Sequence, residues 1–507
     1  MNIEPSLKHV NYILLAISAI LFISIAYQSF GYDDEYYNVR LITDHTIFSL
    51  IKEVETSDVH PPLSYIINFM IFRLFNNWSI VRVFSAILFL GALAYMLSKQ
   101  KGNTTKLIII LFLGFNPTIL LWATSIRWYA YAIPLLILLS TPPRNESKYY
   151  WFYFFIGFLI LSYIGYIGIV LIVPYFVVYY LNDNNTFIHK LKRITIPAVS
   201  YLLLYGYQLY IFKTVHQYNN VADNQQTFDL KTSILSYISS VFSNQAVFPI
   251  SMAGITSIIG TALLLLVMYK QVLINKVKST TLLLFTLSSL LFVLTGVAGK
   301  LRNLVLLEVS KVTFISNGIS NSYKYILALG FTLVFTANIY GIYNVYTHQR
   351  TTKNAWNLPL SESLTLMNKL AQADTKEVYF THHPTYTNYL INKNLISFYS
   401  GLYFDSAKIK TSIQALSKDT LTPKMNFNFI VTYKGRSIDI NHYSHLLQTM
   451  QKVQCDSIKK FELGYDSDYT LKRRSYPDYP KYTFVLYKYY GVKSDFSQLH
   501  EWEISKD

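Results

Sequence analysis

Apolar runs of membrane length recur along the first two-thirds of the chain, separated by short polar segments. Eleven stand out: 10–30, 80–97, 106–124, 127–142, 149–164, 166–181, 194–212, 250–269, 279–298, 303–321 and 324–346. They approach the roughly 17–25 apolar residues that cross a hydrocarbon core about 30 Å thick. After Tyr346 the pattern changes. Glu377–His382, Phe427–Tyr433 and Tyr482–Tyr489 read as strands, and Tyr443–Val453 reads as an amphipathic helix. The expected architecture is a polytopic α-helical membrane protein of about eleven spans over residues 1–346, followed by a soluble α/β or α+β domain over 347–507.

Charge then orients the spans. The net charge is +16, but only 14% of residues are charged and 52% are hydrophobic. Lysine and arginine cluster in short loops, at Lys99/Lys101/Lys106, Arg144/Lys148, Lys190/Lys192/Arg193 and Lys270/Lys276/Lys278. That distribution is the positive-inside signature of a membrane protein. It argues against a nucleic-acid partner, for which no motif is present. Lys8 places the N-terminus inside. The first run is too long for a signal core and lacks a small-residue cleavage site, so it reads as an uncleaved span. Keeping the Lys99–Lys106 loop inside requires residues 61–78 to lie on the outer surface as an interfacial helix beginning at Pro61-Pro62. The loops 31–60 and 213–249 and the C-terminal domain then face the non-cytoplasmic side of the plasma (inner) membrane. Span 303–321 carries Glu308 and Lys311 and must face the bundle interior or insert only partly. A single cysteine, Cys455, precludes an internal disulfide.

The acids break the pattern. Seven of the chain's 28 acidic residues fall in 31–60 (Asp33, Asp34, Glu35, Asp44, Glu53, Glu55 and Asp58), against five between 80 and 346. Carboxylates held close to a bilayer mark function by default. Consecutive acids cannot share a direction, because helical neighbours diverge by about 100°. One of Asp33 and Asp34 could serve as general base; a solvated loop or a helix cap is the plainer alternative. In Asp58-Val59-His60-Pro61-Pro62 the prolines set where the helix starts. His60 could then meet a phosphate, or simply cap that start. No second histidine or cysteine stands at ligand spacing, so a metal site ranks below both and no cofactor is expected. Arg82, Arg127 beside Tyr129, and Lys300 with Arg302 all map to the outer ends of spans. Guanidinium groups there suit phosphate, although snorkelling is the ordinary explanation for any one of them.

Taken together these residues resemble the GT-C glycosyltransferases related to protein O-mannosyltransferases and to the aminoarabinose transferase of lipid A. The resemblance rests on Asp34-Glu35 after the first span, Asp58-His60-Pro61-Pro62-Leu63 before the interfacial helix, and Arg82. It extends to Arg127-Trp128-Tyr129, similar to the family's Arg-x-Tyr motif, and Arg302-Asn303-Leu304, similar to its late Arg-Tyr-Leu motif. It implies an inverting transfer from a polyprenyl-phosphate sugar to a glycan, lipid or protein acceptor at the outer face. Asp34 would be the base, with Asp33 the alternative, and Glu35 would orient the acceptor or its partners. His60 stands where some members place lysine, and Arg302 would be the permanent phosphate partner. Competing readings are a lipid-linked glycan transporter, and an O-antigen ligase or polymerase using His216.

Overall fold

A computed structural model describes residues 3–28, 33–57, 60–214, 230–242, 252–274, 279–295, 304–316 and 324–348, and five strands beyond them. The chain divides into two compact units. One holds Met1–Ser29, Leu41–Ala246 and Ile250–Thr347; the other holds Phe30–Arg40, Val247–Pro249 and His348–Asp507.

The first unit is helical. Helix α1 (Ile3–Gln28) is followed by α2 (Asp33–Asp44) and α3 (Ile47–Ser57), so the expected acidic loop is largely two short helices. Helix α2 is divided between the units, its residues up to Arg40 belonging to the second and those from Leu41 to the first. Arg73 secures the end of α2, its Nη2 donating to the carbonyl oxygens of His45 at 3.0 Å and of Ile42 and Thr43 at 3.5 Å. Helix α4 (Leu63–Phe75) occupies the expected interfacial segment. It stops where Asn76 takes a left-handed conformation, φ 48°, which asparagine tolerates better than most residues. Asn77 then caps α5 (Trp78–Ser98), its side chain accepting from Ser79 N at 2.8 Å. Phe72 and Trp78 stack across this elbow at 3.9 Å.

The expected span 106–124 is not one straight helix. Helix α6 (Asn103–Ile109) passes into a π turn, Ile110–Gly114, and then breaks; α7 (Pro117–Ala123) continues at an angle of 62°. The cause is local: Asn116 caps α7 and Pro117 occupies its first turn, where a missing N–H costs nothing. After α8 (Tyr129–Leu139), α9 (Tyr150–Ile164) and α10 (Ile167–Asn182), α11 runs from Phe187 to Thr214. The basic residues Lys190, Lys192 and Arg193, expected in a loop, therefore lie inside α11. Arg193 closes the turn before it. It pairs with Asp183 at 3.2 Å and donates to the carbonyls of Asn145 and Ser147, while Trp151 Nε1 donates to Asp183 at 2.8 Å. Burial raises the Asp183 carboxyl, but hydrogen bonds from Asn185 and Trp151 and the Arg193 charge outweigh it, leaving the group below its ordinary value.

The expected loop 213–249 is partly helical: α12 (Leu230–Tyr237) ends in a second π turn, Ile238–Phe242. Its aromatic and amide residues at 218–228, and His216, lie outside the described residues. Helices α13 (Met252–Leu273) and α14 (Ser279–Leu294) follow. Helix α15 (Val305–Ser316) is buried on all sides, as an interior position for Glu308 and Lys311 requires. Its 12 residues extend only ~18 Å at 1.5 Å per residue. The last is α16 (Lys324–His348). Four described helices are long and apolar enough to cross a membrane, Leu7–Tyr27, Trp78–Ser98, Gly254–Leu273 and Tyr325–Tyr343, or five if the bent pair α6–α7 is one span. The expected spans 127–142, 149–164, 166–181 and 279–298 are shorter apolar helices.

The second unit contains a five-stranded sheet, β1 (Glu377–Thr381), β2 (Ile396–Tyr399), β3 (Lys424–Lys434), β4 (Ser457–Tyr465) and β5 (Tyr482–Lys493), in the order β2-β1-β3-β5-β4. β1 pairs in parallel with β2 and β3, while β5 runs antiparallel to β3 and β4. Three strands fall where the sequence pattern puts them. The expected helix Tyr443–Val453 lies outside the described residues. Val378, Tyr379 and Phe380 are all buried, as an inner strand covered on both faces demands.

Candidate active site

Two constellations result, one in each unit. In the first unit, α5 packs against α8 and α4 packs against α5. Helix α4 buries Ser64, Tyr65, Asn68, Ile71 and Phe72, a stripe at helical spacing. Asn68 within it accepts a hydrogen bond from Tyr131 Oη of α8 at 2.5 Å, which ties the interfacial helix to the bundle. Just before α4, His60 is half-buried and its ring lies 5.8 Å from Trp128. Trp128 packs on Tyr129 at 3.9 Å, and Tyr129 on Trp122 at 5.1 Å.

Arg127 precedes these rings and is 5% exposed; Arg82, on the buried face of α5 with Val81, Ser85, Ala86 and Phe89, is 6% exposed. Neither behaves as a snorkelling arginine, whose head would be in water. The link between α7 and α8 is held from within: Thr124 Oγ1 donates to Leu120 O and Ser125 Oγ to Trp122 O, each at 2.7 Å. The structure thus brings together His60, Trp128 and Tyr129, with Arg127 adjoining.

In the second unit, Asp33, Asp34 and Glu35 form the first turn of α2, where the helix dipole favours negative charge. Glu35 is buried, as are Asn38, Val39 and Ile42, so it shares one face with residues three, four and seven positions on. Asp58, Lys300 and Arg302 lie outside the described residues. Among the described residues no three histidine, cysteine, aspartate or glutamate side chains converge as metal ligands do.

Sequence reasoning missed Asn68, Tyr131 and Asn116. Each is a polar residue set in an apolar run, a weak signal, though Asn116 directly precedes a proline, a recognised breaker. A buried cation and anion on an apolar face can do little chemistry in isolation. A histidine, an aromatic wall and buried guanidinium groups at helix ends can receive an anion whose tail is apolar.

No family model matches the chain, and no curated protein matches it. Among solved structures, the chain is similar to ArnT from Cupriavidus metallidurans, crystallised with undecaprenyl phosphate bound. The TM-score is 0.50 at 11% identity, over 94% of this chain and 97% of that one. The likeness is one of fold: the chain is a helical membrane protein with an ArnT-like architecture.

Proposed function

We propose that this protein is an inverting glycosyltransferase that moves a sugar from a polyprenyl-phosphate donor to an acceptor at the non-cytoplasmic face of the plasma (inner) membrane. The observation that carries this reading is the fold likeness, along nearly the whole of both chains, to a protein crystallised with undecaprenyl phosphate. The gathering of His60, Trp128, Tyr129 and Arg127 at the start of α8 supports it.

In this reading Asp34, or Asp33 beside it, takes the proton from an acceptor hydroxyl as that oxygen attacks the anomeric carbon. The bond from that carbon to the phosphate oxygen breaks, and polyprenyl phosphate leaves with the electron pair. His60, Arg82, Arg127, Lys300 and Arg302 supply positive charge or hydrogen bonds to the leaving phosphate, and Tyr129 supports Arg127. Donors placed beforehand where charge develops contribute several kcal/mol. Asp58 would orient His60, and Glu35 the acceptor. No cofactor is needed for the displacement itself. The C-terminal unit, residues 347–507, would receive the glycan, lipid or protein acceptor.

The test is transfer of label from a panel of polyprenyl-phosphate sugars in membranes containing the protein. Asp34→Asn should fold and lose transfer by about 10²-fold or more, the usual contribution of a general base. Full activity in both Asp33→Asn and Asp34→Asn would overturn the assignment.

A further inference from the structure

Four groups from three separate segments of the first unit meet inside the bundle. Lys311 Nζ stands 2.7 Å from Glu308 Oε2 and 2.9 Å from Oε1. It also donates to the carbonyl oxygen of Val241, in the second π turn, at 2.6 Å. Asn116 Nδ2 donates to Glu308 Oε2 at 2.7 Å. Both charged side chains are wholly buried on α15. Charge at such depth is rare and points to function.

The pair's outlet is Asn116. With its NH₂ drawn to the carboxylate, the amide must turn its Oδ1 the other way, and there it accepts from Thr118 N at 2.9 Å and Ile119 N at 3.2 Å. The opposite orientation would set oxygen against carboxylate and NH₂ against backbone donors. The carboxylate therefore selects the amide orientation that caps α7. Helix α7 is 7 residues long and buried throughout. A rod of that length extends ~10 Å. Its far end delivers Arg127, Trp128 and Tyr129.

We infer that Glu308 and Lys311 are positioning residues: through Asn116 they fix the bend between the π turn and α7, and so the seating of the Arg127–Trp128 segment against His60. The inference rests on the proposed function for what that segment binds, but not for whether the segment moves.

The test uses full-length protein labelled with 5-fluorotryptophan, the Trp128 resonance being assigned by its loss in Trp128→Phe. Glu308→Met/Lys311→Met removes both charges together, a change buried pairs often tolerate. It should fold, shift the Trp128 resonance and weaken binding of undecaprenyl phosphate by about tenfold, what one lost charge-assisted hydrogen bond is worth. Glu308→Gln/Lys311→Met is equally uncharged but keeps an acceptor for Asn116, and should restore both readouts. A folded Met/Met protein with an unmoved resonance would overturn the inference, as would a Gln/Met protein perturbed to the same degree. Should the Met/Met protein not fold, Asn116→Ser leaves the pair intact and keeps an oxygen that caps α7 while losing the amide that reaches Glu308: a shifted Trp128 resonance supports the route, an unmoved one refutes it. A wild type that binds no undecaprenyl phosphate would defeat the proposed function, while the resonance would still decide the positioning.

Discussion

Gly165→Ala would test the packing around Trp128 with a single carbon. Gly165 ends α9 with φ −165°, an extended conformation that alanine also adopts, so no backbone strain accompanies the change. The cost is steric. A Cβ at this position would stand 2.6 Å from Trp128 Cε3, 2.9 Å from Cδ2 and 3.1 Å from Cζ3. Carbon atoms prefer about 3.5–4.0 Å, so the indole or the chain must retreat by roughly 1 Å. The indole has little room to do so. Trp128 is 1% exposed, with the Tyr129 ring at 3.9 Å and the His60 ring at 5.8 Å. Overpacking of this kind costs about 1–3 kcal/mol. If Trp128 yields, Arg127 and His60 shift with it, and a misplacement of ~1 Å near reacting groups can lower rate about 10²-fold. Unfolding of the purified protein should report the stability loss, and transfer in proteoliposomes a larger loss of rate. Trp128→Leu removes the clashing ring, so the Gly165→Ala/Trp128→Leu protein should be more stable than the sum of the single changes implies. A Gly165→Ala protein as stable and active as wild type, or strict additivity in the double variant, would refute the reasoning.

Three further changes address other joints. At Gly260 an added Cβ would lie 2.8 Å from the carbonyl oxygen of Gly330 and 2.9 Å from Leu333 and Val334. Because that neighbour is backbone, the helices must part, and Gly260→Ala should cost about 1–3 kcal/mol in thermal unfolding, Gly260→Val more. Asp183→Asn should lose about 1–3 kcal/mol at neutral pH through its hydrogen bonds to a charged group. The carboxyl's folded value is depressed, so its contribution is complete above the ordinary carboxylate value of about 4 and disappears as pH falls through the lower folded value. The gap in melting temperature between wild type and variant should thus be constant at neutral pH and close in acid; a gap independent of pH would count against it. Arg73→Met removes the donor to the carbonyls at the end of α2 and should raise amide exchange across residues 38–44 at a cost of about 0.3–1 kcal/mol.

How far the fold was legible depends on the range of the interaction that shapes each part. The start of α4 is visible in Pro61-Pro62, since turn chemistry is local. The elbow at Asn76-Asn77 is not foreseen, because the segment 61–78 reads as one interfacial helix. The break at Asn116 is nearly invisible, because averaged hydropathy registers 106–124 as uniform and only the asparagine–proline pair interrupts it. The stretch 31–60 misled in the other direction. Its acids suggest a loop, yet Glu35, Asn38, Val39 and Ile42 already carry a helical period, and burial of that face outweighs the polar composition. In the sheet, β2 is too short at four residues to announce itself, and β4 carries Lys459, Lys460 and Glu462. The placement of β5 between β3 and β4 comes from long-range pairing that no local pattern encodes.

The site shows the same division between groups that would react and groups that hold them. His60, Arg82, Arg127 and the acids of α2 declare themselves because each is chemically conspicuous where a span meets a surface. Asn68, Tyr131, Asn116, Glu308 and Lys311 are exceptions within apolar helices, and their meaning depends on partners far along the chain. Asn116 and Glu308 are 192 residues apart, and Tyr131 and Asn68 are 63 apart. In a bundle without water, an unsatisfied polar group costs several kcal/mol, so each such residue must find a partner. A polar residue inside an apolar span therefore predicts that a partner exists without naming it. Only the folded chain names it, and the partners named here lead to one place, the bend and the helix start that carry Arg127.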